Sequence, residues 1–214
     1  MPSLEPSESI MSPPILPNLG RERLALKLGV MASGSGSNFE AIAQAIEAEH
    51  LKAQIQVLIY NNPHAKVAAR AAQRQIPAIL LNHREFPSRE ALDAQIIQTL
   101  GQYQVEWVIM AGWMRRVTSV LIDAFPHRIL NIHPSLLPSF PGIRATEQAL
   151  QAGVKISGCT VHMVELAVDS GPIIMQAAVP VLPNDTPETL QARIHIQEHR
   201  LYPRAIALAA HLNP

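Results

Sequence analysis

Asn131-Ile132-His133 runs straight into Pro134, Pro138, Pro141 and Gly142, so a polar triplet is followed by a rigid turn. The side-chain amide of Asn131 can donate a hydrogen bond. His133, two positions on, projects to the same side of an extended backbone, so both can face one developing oxyanion. Asp169, in Val168-Asp169-Ser170-Gly171-Pro172, supplies a carboxylate at another turn that can orient the imidazole or receive a proton. Two other readings stand beside this one. His133 can be a satisfied structural histidine, or a metal ligand with His127 or His162, although no ligand pair has recognised spacing. No serine or cysteine has a convincing base, so covalent catalysis is not expected.

Two further loops carry candidate chemistry. In Ala32-Ser33-Gly34-Ser35-Gly36-Ser37-Asn38 the glycines let successive backbone N–H groups converge, the serines add hydroxyl donors, and a following helix adds its positive end. That suits a phosphate dianion, and the alternative is a glycine-rich turn and helix cap with no ligand. It is not a dinucleotide fingerprint, because Phe39 stands where the third glycine belongs and Tyr60-Asn61-Asn62 offers no acid for a ribose. Nor does a Gly-Lys-Ser/Thr follow, so it is not a Walker loop. Gly112-Trp113-Met114-Arg115-Arg116-Val117 mixes apolar and basic residues, which suits either one wall of a pocket for a flat heterocycle or a helix N-terminal region whose Trp113 and Met114 are core.

These loops fall between alternating strands and helices. Strands are expected over 24–31, 55–60, 78–81, 105–110 and 128–130, with helices over 38–49, 65–74 and 88–100, the last capped by Gly101. Beyond Gly142 follow a helix over 146–151, strands over 157–164 and 173–179 that pair as a hairpin, and a final helix over 187–210. The pattern implies an α/β, Rossmann-like doubly wound sheet, mostly parallel, with an antiparallel strand toward the C-terminal edge. The loops above then share the C-terminal edge of the sheet, where such folds bind ligands.

At 214 residues and 48 % hydrophobic, the chain can bury one domain's core. Lysine plus arginine equals aspartate plus glutamate at 17 each, which leaves no overall footprint for nucleic acid or anionic membrane. The lone Cys159 cannot form an internal disulfide and reads as core, and no apolar run is long enough to span a bilayer, so a cytoplasmic location is expected. Residues 1–23 are rich in proline and serine and read as a disordered extension or an upstream start with Met11 as the alternative; residues 24–214 form the folded domain. Glu5 and Glu8 weigh against a transit peptide.

Taken together, Ser35-Gly36-Ser37-Asn38, Trp113-Met114-Arg115, Asn131 to Pro138, Gly158-Cys159-Thr160-Val161-His162, Val168 to Pro172 and Gln197-Glu198-His199 resemble, in order, the phosphoribosylglycinamide formyltransferase family. The resemblance covers residue 26 to the C-terminus. Its Asn-x-His-Pro-Ser-Leu-Leu-Pro motif belongs to the wider formyltetrahydrofolate-using superfamily; the glycine-serine-asparagine loop narrows it to the purine enzyme.

The resemblance implies formyl transfer from 10-formyltetrahydrofolate, as co-substrate, to the amine of phosphoribosylglycinamide, the third step of purine synthesis, with no metal. It makes Asn131 and His133 the donors to the formyl oxygen, and Asp169 the group that holds His133 and manages the amine proton through water. Gly36, Ser37, Asn38 and Glu198 would bind the phosphoribosylglycinamide. Arg89, Met114, Arg115, Arg116, Val117 and the loop Glu165, Leu166, Ala167, Val168 and Asp169 would join Asn131 in binding folate. Family precedent places a cis bond at Leu137-Pro138. Arg144 stands where many relatives have histidine, and Arg116 replaces a usual aliphatic residue. The implied partners are small molecules, with neither nucleic acid nor membrane, in a monomer or homodimer. Two rivals are a formyltetrahydrofolate hydrolase, whose family carries an extra N-terminal domain and lacks this phosphate loop, and a non-catalytic nucleotide-binding module, which would not need Asn131, His133 and Asp169 together.

Overall fold

The structure, a computed structural model, describes residues 10–13 and 24–213. Its centre is β2 (Leu26–Ala32), in which Leu28, Val30, Met31 and Ala32 are fully buried. Successive side chains of a strand point to opposite faces, and Val30 and Met31 accordingly enter two different apolar clusters. On one face α1 (Ser37–Glu47) and α6 (Pro187–Leu212) contribute Phe39, Ile42, Tyr202 and Ile206. On the other, α3 (Arg89–Gln102) and α4 (Ser119–Ala124) contribute Leu92, Ile96, Leu100 and Leu121. Burial on both faces is why the inner strands read as apolar runs.

The eight strands lie in the order β1-β8-β7-β6-β5-β2-β3-β4. After β2 the chain steps outward through β3 (Ala53–Tyr60), α2 (Val67–Gln73) and β4 (Ala78–Leu80), then returns through α3 to β5 (Trp107–Met110) on the other side of β2. The order therefore reverses between β2 and β5, and a crevice opens above their C-terminal ends. β6 (Ile129–His133) joins β5 in parallel; beyond α5 (Ala145–Gln151), β7 (Ile156–Met163) and β8 (Ile173–Pro180) form an antiparallel hairpin that also pairs antiparallel with β6. The expected mixed edge is present.

Four features differ from the sequence-based reading. β6 runs on through Asn131 and His133, because β7 pairs with both; the predicted strand stops at Leu130. Gly101 lies inside α3, which is closed at Tyr103. The six-residue α4, capped by the Thr118 side chain, is not among the expected elements, although a helix N-terminal region is one reading of the Gly112 to Val117 loop before it. Within the extension expected to be disordered, Met11–Ser12 form β1, which pairs antiparallel with β8, while residues 1–9 and 14–23 lie outside the described residues. Other bounds agree within about two residues. Among the described residues no helix is long and apolar enough to cross a membrane.

Candidate active site

A cavity of roughly 800 Å³ sits over the crevice. Its walls are the loop after β2, the loop after β5, the end of β6, the turn from Val164 to Asp169, and one face of α6. The first two loops are tied together: Ser33 N–H donates to Gly112 O at 3.0 Å, and Met114 N–H donates to Ser33 Oγ at 2.9 Å. α6 is fixed from below by Tyr202, whose buried hydroxyl lies 3.1 Å from the carbonyl oxygens of Met110 and Leu130, the residues just before the cavity-lining Ala111 and Asn131.

Asn131, His133 and Asp169 converge in this cavity. Asn131 and His133 alternate on one face of β6, as their spacing requires. His133 Nε2–H donates to the Phe140 carbonyl at 2.9 Å, anchoring the ring to the proline-rich turn, while Nδ1 faces Asp169 Oδ2 at 3.4 Å. Nδ1 is therefore the ring nitrogen left to face the cavity. Asp169 is almost enclosed, stands at a φ of 53°, and its Oδ2 accepts the Gly142 N–H at 2.7 Å. Burial pushes its carboxyl up, but the neighbouring His162, the Gly142 N–H and the His133 ring together outweigh that and hold it below the ordinary range.

The turn that carries the Phe140 carbonyl is braced from the neighbouring strands. Thr160 Oγ1 donates to Ser135 O at 2.7 Å and accepts from Leu137 N–H at 3.0 Å; Gln176 Nε2 reaches both Thr160 Oγ1 and Leu137 O. The Leu137-Pro138 bond is cis, as family precedent implies.

The glycine-rich loop closes the opposite end. Gly36 takes a φ of 75°, and a Cβ there would lie 2.4 Å from Val67 Cγ2, so glycine is required on both counts. Asn38 Nδ2 donates to Glu198 Oε2 at 2.9 Å, and both side chains are buried; Asn38 Oδ1 has no partner among the described residues. Burial raises the Glu198 carboxyl against the opposing pull of Asn38, His195 and His133. From outside, Arg70 Nε holds Ser35 O at 2.8 Å.

Met114, Arg115, Arg116, Val117, Glu165, Leu166 and Val168 line the remaining wall, with Met114, Leu166 and Val168 exposed at its rim. Arg144, the αL residue before α5, joins this rim. Arg89 and Ala167 are not among the lining residues: Arg89 opens α3 and Ala167 faces solvent. Of the metal alternatives, His162 lines the cavity and His127 sits in the turn before β6. Sequence reasoning did not assign His162, His195 and Gln191 to the cavity. His162 was legible in principle, within the Gly158 to His162 motif; the two α6 residues stand one and two helical turns before Glu198, a spacing that could have found them.

Two side chains that can donate, a carboxylate and a glycine-rich loop share one crevice, an arrangement with room for a carbonyl and an anionic group. The chain belongs to the formyl transferase family, whose sequence signature matches residues 26–206. It is 43 % identical to phosphoribosylglycinamide formyltransferase of Bacillus subtilis, across 87 % of this chain and 96 % of the relative. It is also 45 % identical to the trifunctional purine biosynthetic protein adenosine-3 of Drosophila pseudoobscura pseudoobscura, over 86 % of this chain but only 14 % of that much longer protein. The fold superposes on the crystal structure of glycinamide ribonucleotide transformylase 1 from Symbiobacterium toebii with a TM-score of 0.86 at 47 % identity, covering 87 % of this chain and 88 % of the other.

Proposed function

We propose that the chain transfers the formyl group of 10-formyltetrahydrofolate to the amine of phosphoribosylglycinamide, in the third step of purine synthesis, through residues 24–214. The observation that carries this reading is that Asn131, His133 and Asp169 meet between an anion loop and an apolar, arginine-rimmed wall. The loop at Gly36, Ser37 and Asn38, with Glu198, takes the phosphoribosyl end; Met114 to Val117 and the Glu165 to Asp169 turn take the folate.

The neutral amine attacks the formyl carbon, a C–N bond forms, and the carbonyl π pair moves to oxygen. Asn131 Nδ2–H and His133 Nδ1–H stabilise that oxyanion. Asp169 receives the amine proton through water; the C=O re-forms as the bond to the folate nitrogen breaks, and that nitrogen takes up the proton. Holding both reactants in one crevice removes much of the entropic barrier, and an amine needs no activated side-chain nucleophile. We assign the chain to the cytoplasm, as a monomer or homodimer.

The test is purified protein with 10-formyltetrahydrofolate, with and without phosphoribosylglycinamide, followed by folate absorbance. Acceptor-dependent turnover is expected. Turnover without acceptor would make the chain a hydrolase, and no turnover a binding module.

A further inference from the structure

We propose that His162 is a positioning residue for this reaction: it fixes the Asn131 amide in the orientation that presents a donor to the formyl oxygen. The inference rests on the formyl-transfer reading of the cavity. Asn131 and His162 are direct cross-strand partners in the β6–β7 ladder, so their proximity is built into the register. His162 is buried, and its Nδ1 lies 2.8 Å from the Met163 carbonyl oxygen. A carbonyl only accepts, so Nδ1 carries the proton, and a contact between Nε2 and an amide NH₂ requires a lone pair on Nε2. Asn131 Nδ2 sits 3.1 Å from that lone pair. An amide NH₂ only donates, so this contact sets which way the amide faces, and one N–H remains for substrate.

The amide has two orientations, and they differ in sign toward an oxyanion. With Nδ2 held by His162, its second N–H can stabilise negative charge. Rotated by half a turn, the amide would place Oδ1 against the Nε2 lone pair, two acceptors in contact. His162 therefore makes one orientation favourable and the other repulsive. The remaining ionisable groups around it are Asp169, whose Oδ1 lies 3.6 Å from Nε2, and His133, on the far side of that carboxylate. At 3.6 Å the Asp169 contact is beyond hydrogen-bond reach, which leaves Asn131 as the partner of the lone pair.

A double-mutant cycle on kcat separates a residue acting through Asn131 from one acting alone. His162→Phe is expected to lower kcat about 10- to 100-fold, less than the 10²–10³ typical of deleting an oxyanion donor itself, with affinity for a folate analogue little changed. In the Asn131→Ala background the same substitution should add less than about twofold, because the group it orients is gone. His162→Gln, whose Oε1 can accept the Asn131 N–H, should recover most of the activity and serves if the phenylalanine variant does not fold. Nitrogen NMR of labelled His162 in the native protein should show the neutral ring protonated at Nδ1, a readout independent of turnover. An unchanged kcat in His162→Phe, the full loss repeated without Asn131, or a proton on Nε2 would each overturn the proposal. Absence of formyl transfer in the unmodified protein would instead refute the assigned reaction, while the NMR result would still report on the arrangement.

Discussion

Replacing Asp169 by asparagine isolates proton management from architecture. The carboxylate makes one short bond, Oδ2 to Gly142 N–H at 2.7 Å, and faces His133 Nδ1 at 3.4 Å and His162 Nε2 at 3.6 Å. Asparagine can keep the Gly142 bond through Oδ1 while its NH₂ takes the place of the other carboxylate oxygen, so the turn should survive. Converting a charged hydrogen bond to a neutral one costs about 1 kcal/mol, a fall in Tm of roughly 2–4 °C. Asparagine cannot accept the amine proton. A general acid–base group contributes about 10²- to 10⁴-fold, so kcat should drop by that factor, about 2.7–5.4 kcal/mol at 1.36 per decade. Turnover would be followed by folate absorbance at saturating substrates, and folate binding by quenching of Trp113, which lines the cavity. Because the folded carboxyl is held below its ordinary value, its contribution to stability is complete above about pH 3.9 and is lost as pH falls through the lowered value; the asparagine variant should lack that acid limb. A kcat within tenfold of the unmodified protein, or a loss residing wholly in folate affinity, would refute the role.

Glu198→Gln should flatten the pH dependence of Tm: burial raises this carboxyl, so its ionisation increasingly destabilises the fold as pH rises from about 4.3 toward the raised value, and a slope unchanged by the substitution would contradict this. Arg116→Ala and Arg144→Ala should each raise the folate KM about 1.4- to 5-fold, an effect that shrinks with added salt; KM values indifferent to both would separate these arginines from the folate tail. Thr160→Val keeps the shape of a wholly buried side chain but strands the Leu137 N–H and the Ser135 carbonyl, for a cost of roughly 1–3 kcal/mol. Thermal unfolding should register that as a Tm several degrees lower.

The parallel half of the fold was legible because strands covered on both faces leave apolar runs such as Trp107 to Met110, and because glycine and asparagine clusters mark the turns between them. What escaped the sequence depends on neighbours distant along the chain. β1 is two residues that pair with the edge of β8, and α4 is too short for a helical period to register. Gly101 reads as a stop signal, yet a Cβ there would meet nothing within 4 Å, and α3 carries on past it. The trio was legible by type and spacing, but which nitrogen of His133 faces the cavity was not. That depends on the Phe140 carbonyl, seven residues on, where the turn brings the chain back.

The reversal of β7 is what sets the partners of Asn131 and His133 at the edge of the parallel sheet. A parallel strand beside β6 would need a crossover, and its register would place other residues opposite Asn131 and His133. Running antiparallel, β7 sets His162 opposite Asn131 and Thr160 opposite His133. Residues paired across a ladder share a face, and the period of two places all four side chains on the same one. Thr160 then braces the proline-rich turn whose Phe140 carbonyl fixes His133, while His162 fixes the amide of Asn131. One strand thus holds both donors from the side, and the opening triplet needs its partner strand as much as its prolines.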